Sequence, residues 1–198
     1  SSIDAAGKLT TVVAAANLNG TPSNYITSIA KGESGRLYAA ILGKGIYTTT
    51  VAELKINPAK EWNFINSSEE LSNGKSMLRL ATSLDPLTGK DIVFLGTGKT
   101  FPEENVFNSP YDGYDTVNKV VYDERIANLS WTTVDVKGKI GSGQVQMHSS
   151  FASDPTNPER VFAGGNWGPI ELKGENWVPT FVSKGFTGVI VAIDFSGE

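Results

Sequence analysis

Tyr111, Asp112, Tyr114 and Asp115 stand together in the phrase PYDGYDT, where two aromatic rings alternate with two carboxylates. Flat rings suit the C–H faces of sugars, while carboxylates accept sugar hydroxyls or hold a hydrated cation; Glu103 and Glu104 lie just upstream and Trp167 in the turn NWGP offers a third ring. The chain has one histidine, His148, so a multi-histidine metal centre is excluded and any Ser-His-Asp triad would have to be built on that residue. His148 shares a period-two face with Gln144 and Gln146, and Arg79 occupies the corresponding strand of the preceding repeat. Both are candidate ligand-binding residues, on the strands that would line a central channel. Gly96-Thr97-Gly98-Lys99-Thr100 ends like a phosphate-binding loop, but Val93 stands where that loop needs its first glycine and Pro102 follows instead of a helical pattern. Asp85 and Asp154 each precede proline, a pairing that starts turns through backbone geometry and side-chain hydrogen bonds.

The elements that must position these groups are read from a repeated phrase. RLYAAILGKGIYTTT from Arg36, DIVFLGTGKT from Asp91 and RVFAGGNWGPIEL from Arg160 each run apolar residues into a glycine turn. Downstream of each, a tryptophan opens a further short strand: Trp62 in WNFI, Trp131 in WTTV and Trp177 in WVPTF. A four-strand unit of roughly 40–50 residues built this way is the signature of a β-propeller blade. The fold class expected is therefore all-β, a β-propeller with three full blades and an unfinished fourth, in a single domain over residues 1–198. The blades fall at approximately 25–66, 76–136 and 144–182, with the start of another at 187–195. KLTTVVAAANL, from Lys8, reads as an outermost strand completed from elsewhere. Either the chain is a fragment of a larger ring, completed by a second chain or segment, or its two ends pair to close a small four-bladed ring. The one long insertion, residues 99–116, falls between the second and third strands of the second blade, on the same end as the turn holding Trp167.

Composition narrows the function classes. A net charge of −4 without a basic run argues against a nucleic-acid partner. No apolar run approaches the length of a membrane span, and the absence of cysteine removes disulfides, thiolate nucleophiles and thiolate metal sites. Abundant Ser, Thr, Asn and Gly point to an extracellular or cell-surface location, which requires a leader removed or outside this sequence. Triplets of the N-glycosylation type occur at Asn19, Asn66 and Asn128, about as many as this composition produces by chance.

The phrases ASDPTNPERVFAGG and TSLDPLTGKDIVFLGTG resemble the Asp-box (BNR-repeat) propellers, the superfamily of sialidases, xyloglucanase-type glycoside hydrolases and sortilin-type receptors. The resemblance runs from about Tyr25 to Phe195, with a degenerate namesake motif: counting back from each tryptophan, Asn57, Ile126 and Leu172 stand at its Asp position, and only Gly174 keeps its glycine. It implies that Trp62, Trp131 and Trp177 pack between sheets. Sialidase-type enzymes hold a substrate carboxylate with three arginines; of the four here, only Arg79 is on an inner strand.

The function expected is a secreted or cell-surface propeller module that binds a carbohydrate or protein ligand on the face carrying the insertion, without catalysis and without a cofactor or metal. Its ligand-binding residues are Tyr111, Asp112, Tyr114, Asp115, Trp167, Arg79 and His148. One alternative is part of an Asp-box-type glycoside hydrolase. The other is a structural or assembly protein that uses open strand edges.

Overall fold

A computed structural model of the chain describes residues 2–3, 9–10, 26–41, 45–66, 77–98, 114–135, 150–165 and 168–180. Two short strands, β1 (Ser2–Ile3) and β2 (Leu9–Thr10), pair antiparallel. The rest of the described chain is nearly all β and forms three four-stranded antiparallel sheets, each a simple meander. The first sheet contains β3 (Ile26–Lys31), β4 (Arg36–Ile41), β5 (Gly45–Thr50) and β6 (Asn63–Asn66). The second contains β7 (Met77–Leu84), β8 (Asp91–Gly98), β9 (Tyr114–Val121) and β10 (Thr132–Asp135). The third contains β11 (Ser150–Ser153), β12 (Val161–Gly165), β13 (Gly168–Lys173) and β14 (Asn176–Pro179).

The central strands read as near-continuous apolar runs because the middle sheet is buried on both faces, and strand alternation sorts their side chains. Leu80, Val93, Leu95 and Val120 pack toward the first sheet against Tyr38, Ala40 and Ile46. Their neighbours Ala81, Ile92, Phe94 and Val117 pack toward the third sheet against Phe151, Val161, Ala163, Ile170 and Trp177. A further cluster of Ala39, Ile41, Tyr47 and Trp62 lies on the opposite face of the first sheet, with Leu54 against it. Each fully buried large apolar side chain contributes roughly 1.5–3 kcal/mol, so the two inter-sheet layers are the main source of stability.

The tryptophans are packing residues: Trp131 and Trp177 pack between described sheets, whereas Trp62 joins the cluster on the opposite face of the first sheet. Trp62 and Trp177 are buried, and Trp131 lies partly buried against the layer between the first two sheets. Among the described residues, the indole Nε1 atoms of Trp62 and Trp131 are buried without a hydrogen-bond partner, so these rings act as apolar slabs.

Where neighbouring sheets meet, the first strand of each lies beside the first strand of the next and runs in the same direction. Ser28 Oγ accepts from Leu80 N at 2.9 Å, and Thr82 Oγ1 donates to Lys31 O at 2.9 Å. The second junction repeats the device: Ser153 Oγ donates to Thr82 O at 2.7 Å, and Ser83 Oγ donates to Asp154 O at 2.7 Å. Short hydroxyl side chains satisfy backbone carbonyls and one amide along the first strands, and so stitch neighbouring sheets together.

Two features depart from the sequence reading. A short helix, α1 (Val51–Ile56), interrupts the expected strand-to-strand passage after Thr50. Thr50 Oγ1 accepts from Glu53 N at 3.1 Å while the Glu53 carboxylate accepts from Thr50 N at 3.0 Å, a reciprocal capping box. The insertion is also shorter than read. β9 begins at Tyr114, which pairs with Gly98, while Thr116 pairs with Thr97; Asp115 is the extra residue of a bulge.

A candidate binding cleft between the first two sheets

Three of the residues read from sequence as ligand-binding are described. Tyr114 and Asp115 lie at the start of β9 and its bulge, and therefore on a strand, not in a free loop. Arg79, half-buried on β7, donates from Nη1 to Thr27 O on β3 at 2.5 Å, so its guanidinium ties the first two sheets together. Tyr111, Asp112, Trp167 and His148 lie outside the described residues, as do Glu103 and Glu104.

Asp85 and Asp154 hold their turns, as expected from their prolines. The Asp85 carboxylate accepts from Leu87 N at 3.1 Å and from Thr88 Oγ1, and Asp154 accepts from Thr156 N at 3.0 Å and Asn157 N at 3.1 Å. These donors hold both carboxyls below the usual aspartate range: chiefly the Thr88 hydroxyl for Asp85, and chiefly the Thr156 amide for Asp154.

The three turns between first and second strands close with one backbone bond each: Gly32 N to Arg36 O, Asp85 N to Lys90 O and Asp154 N to Arg160 O. Arg36, Lys90 and Arg160 are thus equivalent, a cation at each turn exit. The residues after them are Leu37, Asp91 and Val161. A carboxylate stands in the second sheet where its sister sheets place an apolar side chain.

Asp91 is 2% exposed and reaches across to the first sheet. It accepts from Ser34 N at 3.1 Å, from the Ser34 hydroxyl, and from Tyr38 Oη at 2.9 Å. Gly32 lies so close that a Cβ there would overlap the carboxylate. Burial, then the neighbouring Asp91 charge, pushes the Tyr38 phenol far above the ordinary tyrosine range, so Tyr38 is a fixed donor. Tyr38 and Tyr122 meet edge-to-face at a centroid distance of 5.7 Å, and the Arg36 guanidinium lies over the Tyr122 ring, 4.9 Å from its centre.

Outside this buried core, an open cleft of about 250 Å³ runs between the two turns and the segment after β9. Lys90 Nζ contacts Asp123 Oδ2 at 2.5 Å, and Arg125 donates to the same carboxylate from Nη2 at 2.8 Å and from Nε at 3.0 Å. Arg125, then Lys90, holds the Asp123 carboxyl well below the usual range. Arg36 Nη2 donates to Glu124 Oε2 at 2.6 Å. The site joins three cations, three carboxylates and an aromatic pair, an arrangement that recognises charge and planar hydrogen-bonding groups. Among the described residues no group of three or more His, Cys, Asp or Glu is placed to hold a metal ion.

The sequence reading passed over this cleft because it looked to the insertion at the other end of the sheets. The available signal was Asp91 itself, an acid opening an otherwise apolar strand and out of step with Leu37 and Val161.

No protein-family model matches the chain, and no curated protein does. Among solved structures it is similar to one described as "Structure of Dos1 propeller", at 14% identity and a TM-score of 0.44, over 84% of this chain and 39% of that one. The chain therefore spans well under half the length of that structure.

Proposed function

We propose that this chain is a β-propeller module that binds a glycan or protein partner at the sheet end carrying the 99–116 insertion, without performing catalysis, in an extracellular or cell-surface setting. The observation that carries the reading is the geometry of the three meanders. Their first strands run side by side in one direction, so all connections between second and third strands leave from the same end. At that end the first and third sheets are connected by residues 42–44 and 166–167, whereas the second sheet inserts 99–113. A long insertion among short hairpins is where repeat architectures place recognition. Tyr111, Asp112 and Trp167 belong to these connections, and Tyr114 and Asp115 form the strand start and bulge from which the insertion departs. The non-catalytic reading is supported by the described carboxylates Asp85, Asp91, Asp123, Asp154 and Glu171, all engaged in turns, hydroxyl contacts or ion pairs.

Glycan-array and pulldown binding of the wild type and of Tyr111→Ala, Tyr114→Ala and Trp167→Ala tests this. Loss of a retained ligand in at least one variant is expected, on the order of tenfold, given roughly 1 kcal/mol or more per stacked ring. Unchanged binding in all three ends the aromatic-platform reading. Turnover of aryl glycosides or polysaccharides would replace the non-catalytic reading with a hydrolase.

A further inference from the structure

We propose that the cleft between the first two sheets is a second binding site, at the sheet end opposite the insertion, and that it takes a carboxylate side chain of an acidic peptide on the Arg36 guanidinium. Arginine carries five N–H donors in a planar fork. Among the described residues, the Arg36 side chain uses one of them, Nη2, on Glu124. Its side chain is only 14% exposed and its guanidinium carbon lies 4.9 Å from the centre of the Tyr122 ring, which holds the fork in place, and Arg36 lines the cleft. The Glu124 side chain is 67% exposed. The Glu124 end of the pair is solvated, so an incoming carboxylate can take its place on Arg36 without leaving the Glu124 charge buried. Glu124 therefore acts as an internal stand-in for an incoming carboxylate, which can bind the fork through two oxygens where Glu124 uses one.

The same geometry selects the ligand class. A sugar would need a free aromatic face, yet Arg36 lies over the Tyr122 ring, which also packs edge-to-face with Tyr38. Arg36 borders a cleft of about 250 Å³ whose other two cations, Lys90 and Arg125, are already paired with Asp123, so Arg36 is the cation left for one acidic side chain. The net charge of −4 gives no general attraction for an acidic peptide, so binding would report the local fork.

The test is fluorescence anisotropy of a labelled hexaglutamate peptide, amidated at its C-terminus, titrated with the full chain at low ionic strength, with hexaglutamine as control. Binding of hexaglutamate alone is expected. Arg36→Lys, which keeps the charge and loses the fork, should weaken it about tenfold. Glu124→Gln, which frees the fork, should tighten it roughly threefold or more, whereas Glu61→Gln, a matched charge change outside the cleft lining, should leave it within about twofold. Circular dichroism melts establish that each variant is folded. No hexaglutamate binding, equal affinity in Arg36→Lys, or equal tightening by Glu61→Gln overturns the site. A labelled galacturonate oligomer that binds with the same Arg36 dependence in place of the peptide overturns the peptide class.

Discussion

Tyr38→Phe removes one hydroxyl from the junction between the first two sheets, and its effect should change sign with the residue at position 91. In the wild type, the hydroxyl donates to a buried carboxylate at 2.9 Å, so its loss should cost about 1.5–3 kcal/mol, the range for a hydrogen bond to a charged group. Asp91→Val removes the acceptor instead. Ser34 is exposed and can turn to water, but Tyr38 is fully buried and cannot. That orphaned hydroxyl alone should cost about 1–3 kcal/mol. In the Asp91→Val background, Tyr38→Phe removes the orphan and should be neutral or stabilising by about 1 kcal/mol. The molecule already contains an apolar version of this contact: Ile92 and Val161, the equivalents of Tyr38 and Asp91 one junction along, share the core between the second and third sheets. Urea unfolding of the four proteins, with slopes compared to establish a common denatured state, gives the cycle directly. Equal costs for Tyr38→Phe in both backgrounds, within about 0.5 kcal/mol, would refute the claim that Asp91 and Tyr38 act as a pair.

Gly32→Ala should destabilise the protein by about 1–3 kcal/mol, as overpacking does, because its Cβ would overlap the Asp91 carboxylate; the added Asp91→Ala change should recover part of that loss in the same urea assay. Acid should progressively destabilise the protein as pH falls below about 4, since Glu53, Asp85, Asp123, Asp154 and Glu171 all have folded-state pKa values below their unfolded ones, near 4. Their contribution is complete above the unfolded values and is lost as pH falls through the depressed ones. At Glu171 burial opposes this shift, and Lys173 and Arg160 overcome it. A melting temperature that rises between pH 5 and pH 3 would contradict that sign.

The strand pattern was legible in the sequence because strands facing two cores advertise themselves. Leu37–Ile41, Ile92–Leu95 and Val161–Ala163 are apolar runs ending in glycine, and each lies in a four-stranded sheet. The packing role of the trailing tryptophans was expected from the Asp-box resemblance alone; Trp131 and Trp177 pack between sheets, and Trp62 on the far face of the first. The helix after Thr50 has a local signature too, the Thr50–Glu53 capping-box spacing, set within a repeat pattern that favours continuous β structure. The extent of the insertion was not legible. Whether Tyr114 belongs to a loop or to a strand depends on Gly98 across the ladder, and pairing between residues distant in sequence leaves no local trace.

Local pattern thus determined the strands, turns and core residues, since those follow from backbone preference and from which side chains avoid water. The charged cleft was decided only in three dimensions. Arg36, Asp91 and Glu124 are separated by long stretches of chain; Arg36 and Glu124 each read alone as an ordinary surface charge, and the out-of-step Asp91 does not name its partners. Stacking two meanders with their first strands side by side carries Ser34 and Tyr38 onto Asp91 and leaves the Arg36 fork beside Tyr122. Charge interactions depend on separation and solvent exposure, and those are properties of how the sheets pack, not of any one segment.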